Sequence, residues 1–443
     1  MRSENLDSTL QPKYSKKVQK GWAFYDWANS VYSLVISTAI FPIYYTQVTV
    51  RDERGFTSFL GWSLDADALY SFVLSASFLI VALLSPVLSG IADYTGAKKK
   101  FLIFFCLLGS LSCMGLYFYD GSNVETALFL SVAASVGFWG SLVFYNSYLP
   151  EIAPPEEQDK LSAKGFSMGY VGSSILLIGL LLMITFAEDL GMTTGYATQL
   201  SFLITGVWWL GFAQVTFSIL PKAATKNPID SKILMNGFKE LKKVFAFVKS
   251  DKQLFRYLGA FFFYSTGVQT IIVLASLFGA QELGLSSDKL ILTILIIQFV
   301  AIAGAMLFSR VSQSVGNFRA LRIQVGIWIT VCVIAFLLRK EWEYVEMGFY
   351  VVGALVGLVL GGIQSLSRST YSKLLPDGID TTSFFSFYDV TEKIAIVLGT
   401  LSFGLFIDLT GSMNWAALGL AVYFLVGWLL LRGLKMGGLV SGK

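Results

Sequence analysis

The sequence predicts an all-α membrane protein in which twelve transmembrane helices form two pseudo-symmetric six-helix bundles. Three observations carry that expectation. Of 443 residues, 55% are hydrophobic and only 14% charged, and the mean hydropathy of +0.65 lies far outside the range of soluble domains. Lys and Arg crowd into alternate loops between the apolar runs. Landmarks of the first half of the chain return in the second.

A helix needs about 20 mostly apolar residues to cross a bilayer. Such runs place spans 1 to 6 at 22–48, 68–92, 101–119, 126–149, 165–187 and 199–220, and spans 7 to 12 at 255–280, 290–311, 321–338, 345–370, 382–407 and 413–431. Residues 1–20 hold no apolar stretch of the signal-peptide kind, so span 1 is expected to persist as a membrane helix. Residues 221–253 are the one long connection. There Ile233, Phe238, Leu241, Val244, Phe245 and Val248 recur at helical spacing among Lys232, Lys239, Lys242, Lys243 and Lys249, the pattern of an amphipathic helix on the inner membrane surface. The expected organisation is a cytoplasmic N-terminal segment (1–20), a first bundle (21–220), the linker (221–253), a second bundle (254–435) and a cytoplasmic tail (436–443).

Charge sets the orientation. Of 33 Lys and Arg, 27 lie on the N-terminal side of the bundle if each span crosses once, five (Arg51, Arg54, Lys289, Arg339, Lys340) lie on the other, and Lys393 lies within a span. By the positive-inside rule both termini face the cytoplasm. The net charge of +4 then reflects topology and not a nucleic-acid surface. The absence of His removes His-ligated metal sites, Ser-His and Cys-His catalytic pairs and His proton relays. Cys106, Cys113 and Cys332 have no metal spacing. Glycine pairs such as Gly361-Gly362 lack a P-loop lysine, so neither ATP nor a dinucleotide is expected. No cofactor, no metal and no enzymatic activity are expected; the expected partners are a small solute, a coupling ion and the bilayer, around a monomer in the inner (cell) membrane.

The halves echo one another. Tyr145-Asn146-Ser147-Tyr148-Leu149-Pro150-Glu151 closes span 4, and Tyr371-Ser372-Lys373-Leu374-Leu375-Pro376-Asp377 follows span 10; similar entries, Phe166-Ser167-Met168-Gly169-Tyr170-Val171 and Phe385-Ser386-Phe387-Tyr388-Asp389-Val390, come next. Between spans 2 and 3 lies Gly90-Ile91-Ala92-Asp93-Tyr94-Thr95-Gly96-Ala97-Lys98-Lys99-Lys100. The loop after span 8 echoes it with Gly316, Arg319 and Arg322, but Ser312 stands where an Asp is expected. Parallel six-helix repeats suit a transporter that rocks about a central site.

The Gly90 to Lys100 loop resembles the G-x-x-x-D-x-x-G signature of the major facilitator superfamily. Within it, Gly21-Trp22-Ala23-Phe24-Tyr25-Asp26-Trp27-Ala28-Asn29-Ser30, the Tyr145 to Glu151 segment, Gly361-Gly362-Ile363-Gln364-Ser365-Leu366-Ser367-Arg368-Ser369 and Ser383-Phe384-Phe385-Ser386-Phe387-Tyr388 resemble the autophagy-related, vacuole-effluxer-like family, in its short bacterial form. The resemblance implies a secondary active transporter working by alternating access, with an amino acid as first candidate substrate. It also implies that spans 1, 4, 7 and 10 line the path, and that Gly90, Asp93, Gly96, Lys98, Lys99 and Lys100 bridge span 2 to the cytoplasmic end of span 11 as a gate. Lipid or amphipathic-drug efflux is the nearest alternative, favoured by a wide apolar cavity. A non-transporting receptor or assembly factor is the alternative from another class, favoured by a sealed interior.

Ionisable groups inside a membrane cost about 2.5–3.5 kcal/mol each on insertion scales, so each needs a reason. Asp26 starts a stripe with Asn29, Ser30, Ser33 and Ser37 on one helix face, pointing to a cavity; an interfacial carboxylate held by the helix dipole is the plainer reading. Asp389, Glu392 and Lys393 can meet on one face of span 11, either as a coupling or binding cluster or as a structural pair. Tyr145 and Asn146 in span 4, Tyr264, Ser265 and Gln269 in span 7, and Gln364, Arg368 and Tyr371 in span 10 complete the candidates. Arg368 reads as a carboxylate ligand, a gate or a snorkelling anchor.

Overall fold

The computed structural model describes residues 14–221, 227, 233–376 and 380–434. Both termini, Lys232 and Asp377 lie outside them, and with them the expectations placed there. Among the described residues, twelve helices are long and apolar enough to cross a membrane: Lys16–Val48, Ala66–Thr95, Lys98–Phe118, Val124–Ile152, Pro155–Thr185, Thr194–Ile219, Lys252–Gln281, Ser287–Val315, Asn317–Leu337, Val345–Leu374, Thr382–Thr410 and Met413–Leu431. They are spans 1 to 12 of an all-α bundle. Buried apolar side chains form two clusters, one drawn from Val18 to Leu220 and the other from Val244 to Leu431.

Most helices outrun their apolar cores because their ends are capped by polar groups that hydropathy does not count. Span 5 begins at Pro155 and not at 165: Pro at the first turn needs no hydrogen-bond acceptor, and Glu156 and Glu157 meet the positive end of the helix. Asp65, Thr193, Asp251 and Ser412 accept first-turn amide protons of spans 2, 6, 7 and 12. Gly96 ends span 2 at φ 74°, the left-handed conformation that lets the chain reverse at once into span 3.

Three local features were not expected. Span 1 is not a uniform α-helix, since Tyr32–Ile40 forms a π-helical segment before Phe41–Val48 resumes the α form. Between spans 1 and 2, Phe56–Phe59 and Trp62–Asp65 pair as a small antiparallel hairpin around Leu60-Gly61, both at positive φ. The linker helix, Ile233–Ser250, is docked on protein as well as carrying an apolar outer face. Its Gly237 backbone abuts Gly90 so closely that any Cβ at Gly90 would strike the Gly237 carbonyl. Phe245 and Phe247 pack on Phe387 and Phe384 of span 11, while Leu234, Met235 and Phe238 remain exposed. One edge of the helix thus buries against spans 2 and 11, with Gly90 and Gly237 permitting backbone contact at span 2, while the apolar residues of its other face stay exposed.

Glycines also set the tight packing of span 8 on span 10. A Cβ at Gly304, Gly357 or Gly361 would meet the carbonyl of Leu358, Ile297 or Ala301 on the facing helix.

Candidate functional site

A cavity of about 220 Å³ lies between the two halves. Spans 1, 4, 5, 7, 8, 10 and 11 contribute to its wall, with Asp26, Asn29, Ser30, Ser33, Asn146, Tyr264, Gln269, Gln364, Arg368 and Glu392 among the lining residues. Phe138, Trp139, Phe166 and Leu360 supply apolar wall. The expected polar stripe on span 1 reaches the cavity with one correction. Ser37 is not on the wall; Thr38 is, five residues after Ser33, to whose carbonyl its hydroxyl donates at 2.8 Å. The π-helical segment has more residues per turn than an α-helix, so a stripe counted at α spacing drifts off the face.

The floor of the cavity is an ionic knot tied across the halves. The Arg368 guanidinium of span 10 lies 3.4 Å from Asp26 Oδ2 of span 1, with both side chains almost wholly buried. Arg368 also donates to Asn146 Oδ1 at 3.1 Å, to Ser162 Oγ at 2.9 Å and to the Ser162 carbonyl at 3.0 Å. The Tyr145 hydroxyl donates to Asp26 Oδ2 at 2.8 Å. The guanidinium carbon also lies 4.2 Å from the centre of the Phe166 ring and 4.8 Å from that of Trp22. Span 5 comes this close because of Gly165 and Gly169: a Cβ on the first would strike Asp26 Oδ2, and on the second Ser30 Oγ. The snorkelling reading of Arg368 is thus corrected. Span 10 continues to Leu374, which leaves Arg368 inside the bundle with Asp26 to neutralise it.

A second charged group borders the same cavity, with Glu392 on the wall and Asp389 and Lys393 buried behind it. Lys393 Nζ lies 3.0 Å from Asp389 Oδ1 and 3.4 Å from Glu392 Oε2, and 3.5 Å from the centre of the Trp139 ring on span 4. Gln269 of span 7 donates to Glu392 Oε1 at 2.7 Å, and Ser85 of span 2 approaches Asp389 at 3.4 Å. Tyr264 and Ser367 share a hydrogen bond at 2.8 Å, and Tyr170 donates to Gln364 at 2.6 Å. Asn29 is buried on the cavity wall with both its amide oxygen and its amide nitrogen unpaired. A buried amide without partners is costly, which suits a group whose partner is a ligand.

Beneath the floor, on the side carrying Lys98 to Lys100, the halves are latched. Asp93 Oδ2 accepts from the Ser383 amide at 2.7 Å and Oδ1 from Thr382 at 3.3 Å, so the end of span 2 caps the start of span 11. Among the described residues, the contacts of Lys98 with Glu151 and of Lys99 with Leu220 do not reach span 11 directly. Lys98 pairs with Glu151 and lies over the Tyr148 ring, and Lys99 donates to the Leu220 carbonyl at 2.6 Å; they tie span 3 to spans 4 and 6 within the first half. Among the described residues, Lys98 reaches the other half through Glu151, which also accepts from Thr381 at 3.2 Å. Gly90 serves linker docking and Gly96 the reversal.

Sequence reading missed Asp159. It is buried near the start of span 5 and accepts from Ser312 Oγ (2.8 Å), Asn317 Nδ2 (2.8 Å) and Lys373 Nζ (2.8 Å). Ser312 occupies the position of Asp93 in the second half, so here the acid sits on the opposite partner of the latch. The serine where an Asp was expected was the available signal. Ser162 and the Gly165-Gly169-Gly172 spacing were also legible only as helix packing.

Comparison with known proteins follows this geometry. The model of the family described as "Vacuole effluxer Atg22 like" matches residues 14–437. An uncharacterised MFS-type transporter of Bacillus subtilis, YxiO, is 32% identical over 419 residues, 94% of each chain. Autophagy-related protein 22 of Coccidioides immitis is 24% identical over 529 residues, covering 93% of this chain and 85% of its own. Among solved structures, the E. coli fucose:proton symporter FucP superposes with a TM-score of 0.69 at 14% identity (96% and 100% of the chains), and a bacterial ferroportin homologue in its outward-facing state with 0.65 at 13% (94% and 97%). These two share the fold.

Removing one partner of the floor pair strands the other in a buried site. Arg368→Ala should lower stability by about 3–5 kcal/mol, and adding Asp26→Asn should restore much of it, because the pair is then removed together. Thermal unfolding of the purified variants checks this; a double variant as unstable as the sum of the singles would deny the pairing.

Proposed function

The chain belongs to the Atg22-like vacuole effluxer family and is an MFS-type transporter, and from that premise we propose that it carries a small carboxylate-bearing solute, an amino acid in the first instance, by alternating access. The observation that carries this reading is the Asp26–Arg368 pair at the cavity floor. Arg368 offers a planar, permanently charged fork to a carboxylate arriving in the cavity. Such a carboxylate competes with Asp26 for Arg368. Asn29, whose carbonyl oxygen is unpaired on the same wall, offers an acceptor to a neighbouring ammonium group.

The same competition links binding to opening. Arg368 joins span 10 to spans 1, 4 and 5, so its reorientation toward solute loosens the seam at the floor. Among the described residues the hydrogen bonds between halves cluster on the lysine-rich side, through Asp93, Asp159, Ser162, Arg368 and Thr381. With that side cytoplasmic, as charge distribution argues, the state described is closed to the cytoplasm, and Asp93 and Asp159 are its latches. Glu392, on the cavity wall beside Lys393, is the proposed proton acceptor in coupling. A polar floor disfavours efflux of lipids or apolar drugs, and a cavity between the halves disfavours a sealed receptor.

Competition assays in proteoliposomes test the substrate class. Amino acids should displace one another, while the corresponding amines, lacking the carboxylate, should not, and Arg368→Lys should raise KM far more than it lowers kcat; equal competition by amines would remove the carboxylate assignment. Asp93→Asn should insert normally and slow net flux, since a neutral amide caps span 11 less well than a carboxylate; flux at the wild-type rate would leave Asp93 without a gating role. Glu392→Gln should abolish the pH dependence of net transport and preserve solute counterflow. Retained pH dependence would exclude Glu392 as the coupling group.

A further inference from the structure

We propose that the crevice between spans 5 and 8, on the lysine-rich side, is a binding site for an anionic phospholipid. This crevice has a volume of about 520 Å³ and is separate from the central cavity, with which it shares no lining residue. Three cations line it, Lys160 and Lys164 from span 5 and Arg310 from span 8, and no carboxylate does. None of the three forms a hydrogen bond or ion pair among the described residues. They differ in this from Lys16, Lys98, Lys373 and Lys393, each of which has a carboxylate partner.

The order of groups along each wall matches a lipid and not a free anion. On span 5, Lys160, Lys164 and Met168 follow at four-residue spacing along one face, so Met168 is placed about 12 Å further along the helix than Lys160, toward the membrane interior. On span 8, which runs toward the basic side, Arg310 stands one turn nearer the surface than Met306. Both walls therefore carry charge at the membrane surface and apolar side chains beneath it. The indole N–H of Trp27, on the crevice wall, is buried and has no partner. A phosphate head group satisfies the cations, and its acyl chain covers the methionines.

The walls belong to different halves, and spans 5 and 8 pack directly against each other. A head group held by Lys160, Lys164 and Arg310 together bridges the halves on the side that is closed here. Bound lipid favours this state to the extent that separation of spans 5 and 8 pulls its ligands apart.

The test is thermal unfolding of the detergent-purified protein titrated with phosphatidylglycerol, with phosphatidylcholine or with inorganic phosphate. Phosphatidylglycerol should raise the melting temperature of the wild type, and the other two should not. Lys160→Gln/Lys164→Gln/Arg310→Gln should weaken the apparent affinity roughly a hundredfold. A control with equal charge loss at exposed positions, Lys100→Gln/Lys252→Gln/Arg319→Gln, should retain it. Equal weakening in the two triples would reduce the effect to general surface charge, and stabilisation by inorganic phosphate alone would assign a free-anion site; either overturns the proposal. Met168→Trp keeps every charge and fills the deeper end of the crevice, so it too should lose affinity. Full phosphatidylglycerol stabilisation in that variant would refute an acyl-chain site.

Discussion

A guanidinium cannot be left alone in a membrane interior. From that constraint follows much of the arrangement around Arg368: a carboxylate from span 1, an amide from span 4, a hydroxyl and a carbonyl from span 5, and the rings of Trp22 and Phe166. Each donor is obliged to find an acceptor because an unpaired donor in a membrane interior is costly. The requirement pulls three helices of one half onto one helix of the other. Gly165 and Gly169 have no side chains for the same reason, since there is no room for them once Asp26 and Ser30 face inward.

The latches beneath the floor obey the repeat while breaking its letter. At one contact the carboxylate belongs to span 2 and faces backbone amides of span 11; at the other it belongs to span 5 and faces a serine of span 8, so both acids come from the first half. Both solutions place one buried negative charge where two helices of opposite halves meet. What the pseudo-symmetry preserves is the charge at the contact, and the helix that supplies it is free to change. The second latch also recruits Lys373 and Asn317, so its acid is satisfied by side chains where Asp93 relies on a helix end.

The membrane class and the twelve spans were legible because hydropathy and loop charge are additive signals that survive without any three-dimensional information. Their ends were less so, since the polar turn from Pro155 to Lys164 is helical through capping and not through apolarity. Asp26 and the span 11 charges stood out as ions in apolar runs, and both do line or border the cavity. Arg368 was ambiguous because its depth depended on where span 10 stopped. Asp159 was invisible: a carboxylate in a polar segment looks solvated until the fold buries it against span 8. Hydropathy also has no term for hydrogen-bond register, so the π-helical segment in span 1 left no trace beyond β-branched residues and Pro42.

That segment has a mechanical meaning. A run paired five residues apart is wound more loosely than its α-helical neighbours, so rewinding Tyr32–Ile40 to the α form would twist the outer end of span 1 about its own axis while the Asp26 end stayed put. The cavity wall would then exchange Thr38 for Ser37 without any helix sliding past another. Such rewinding would be a torsional change within span 1 alone, located on the far side of the cavity wall from the ionic floor.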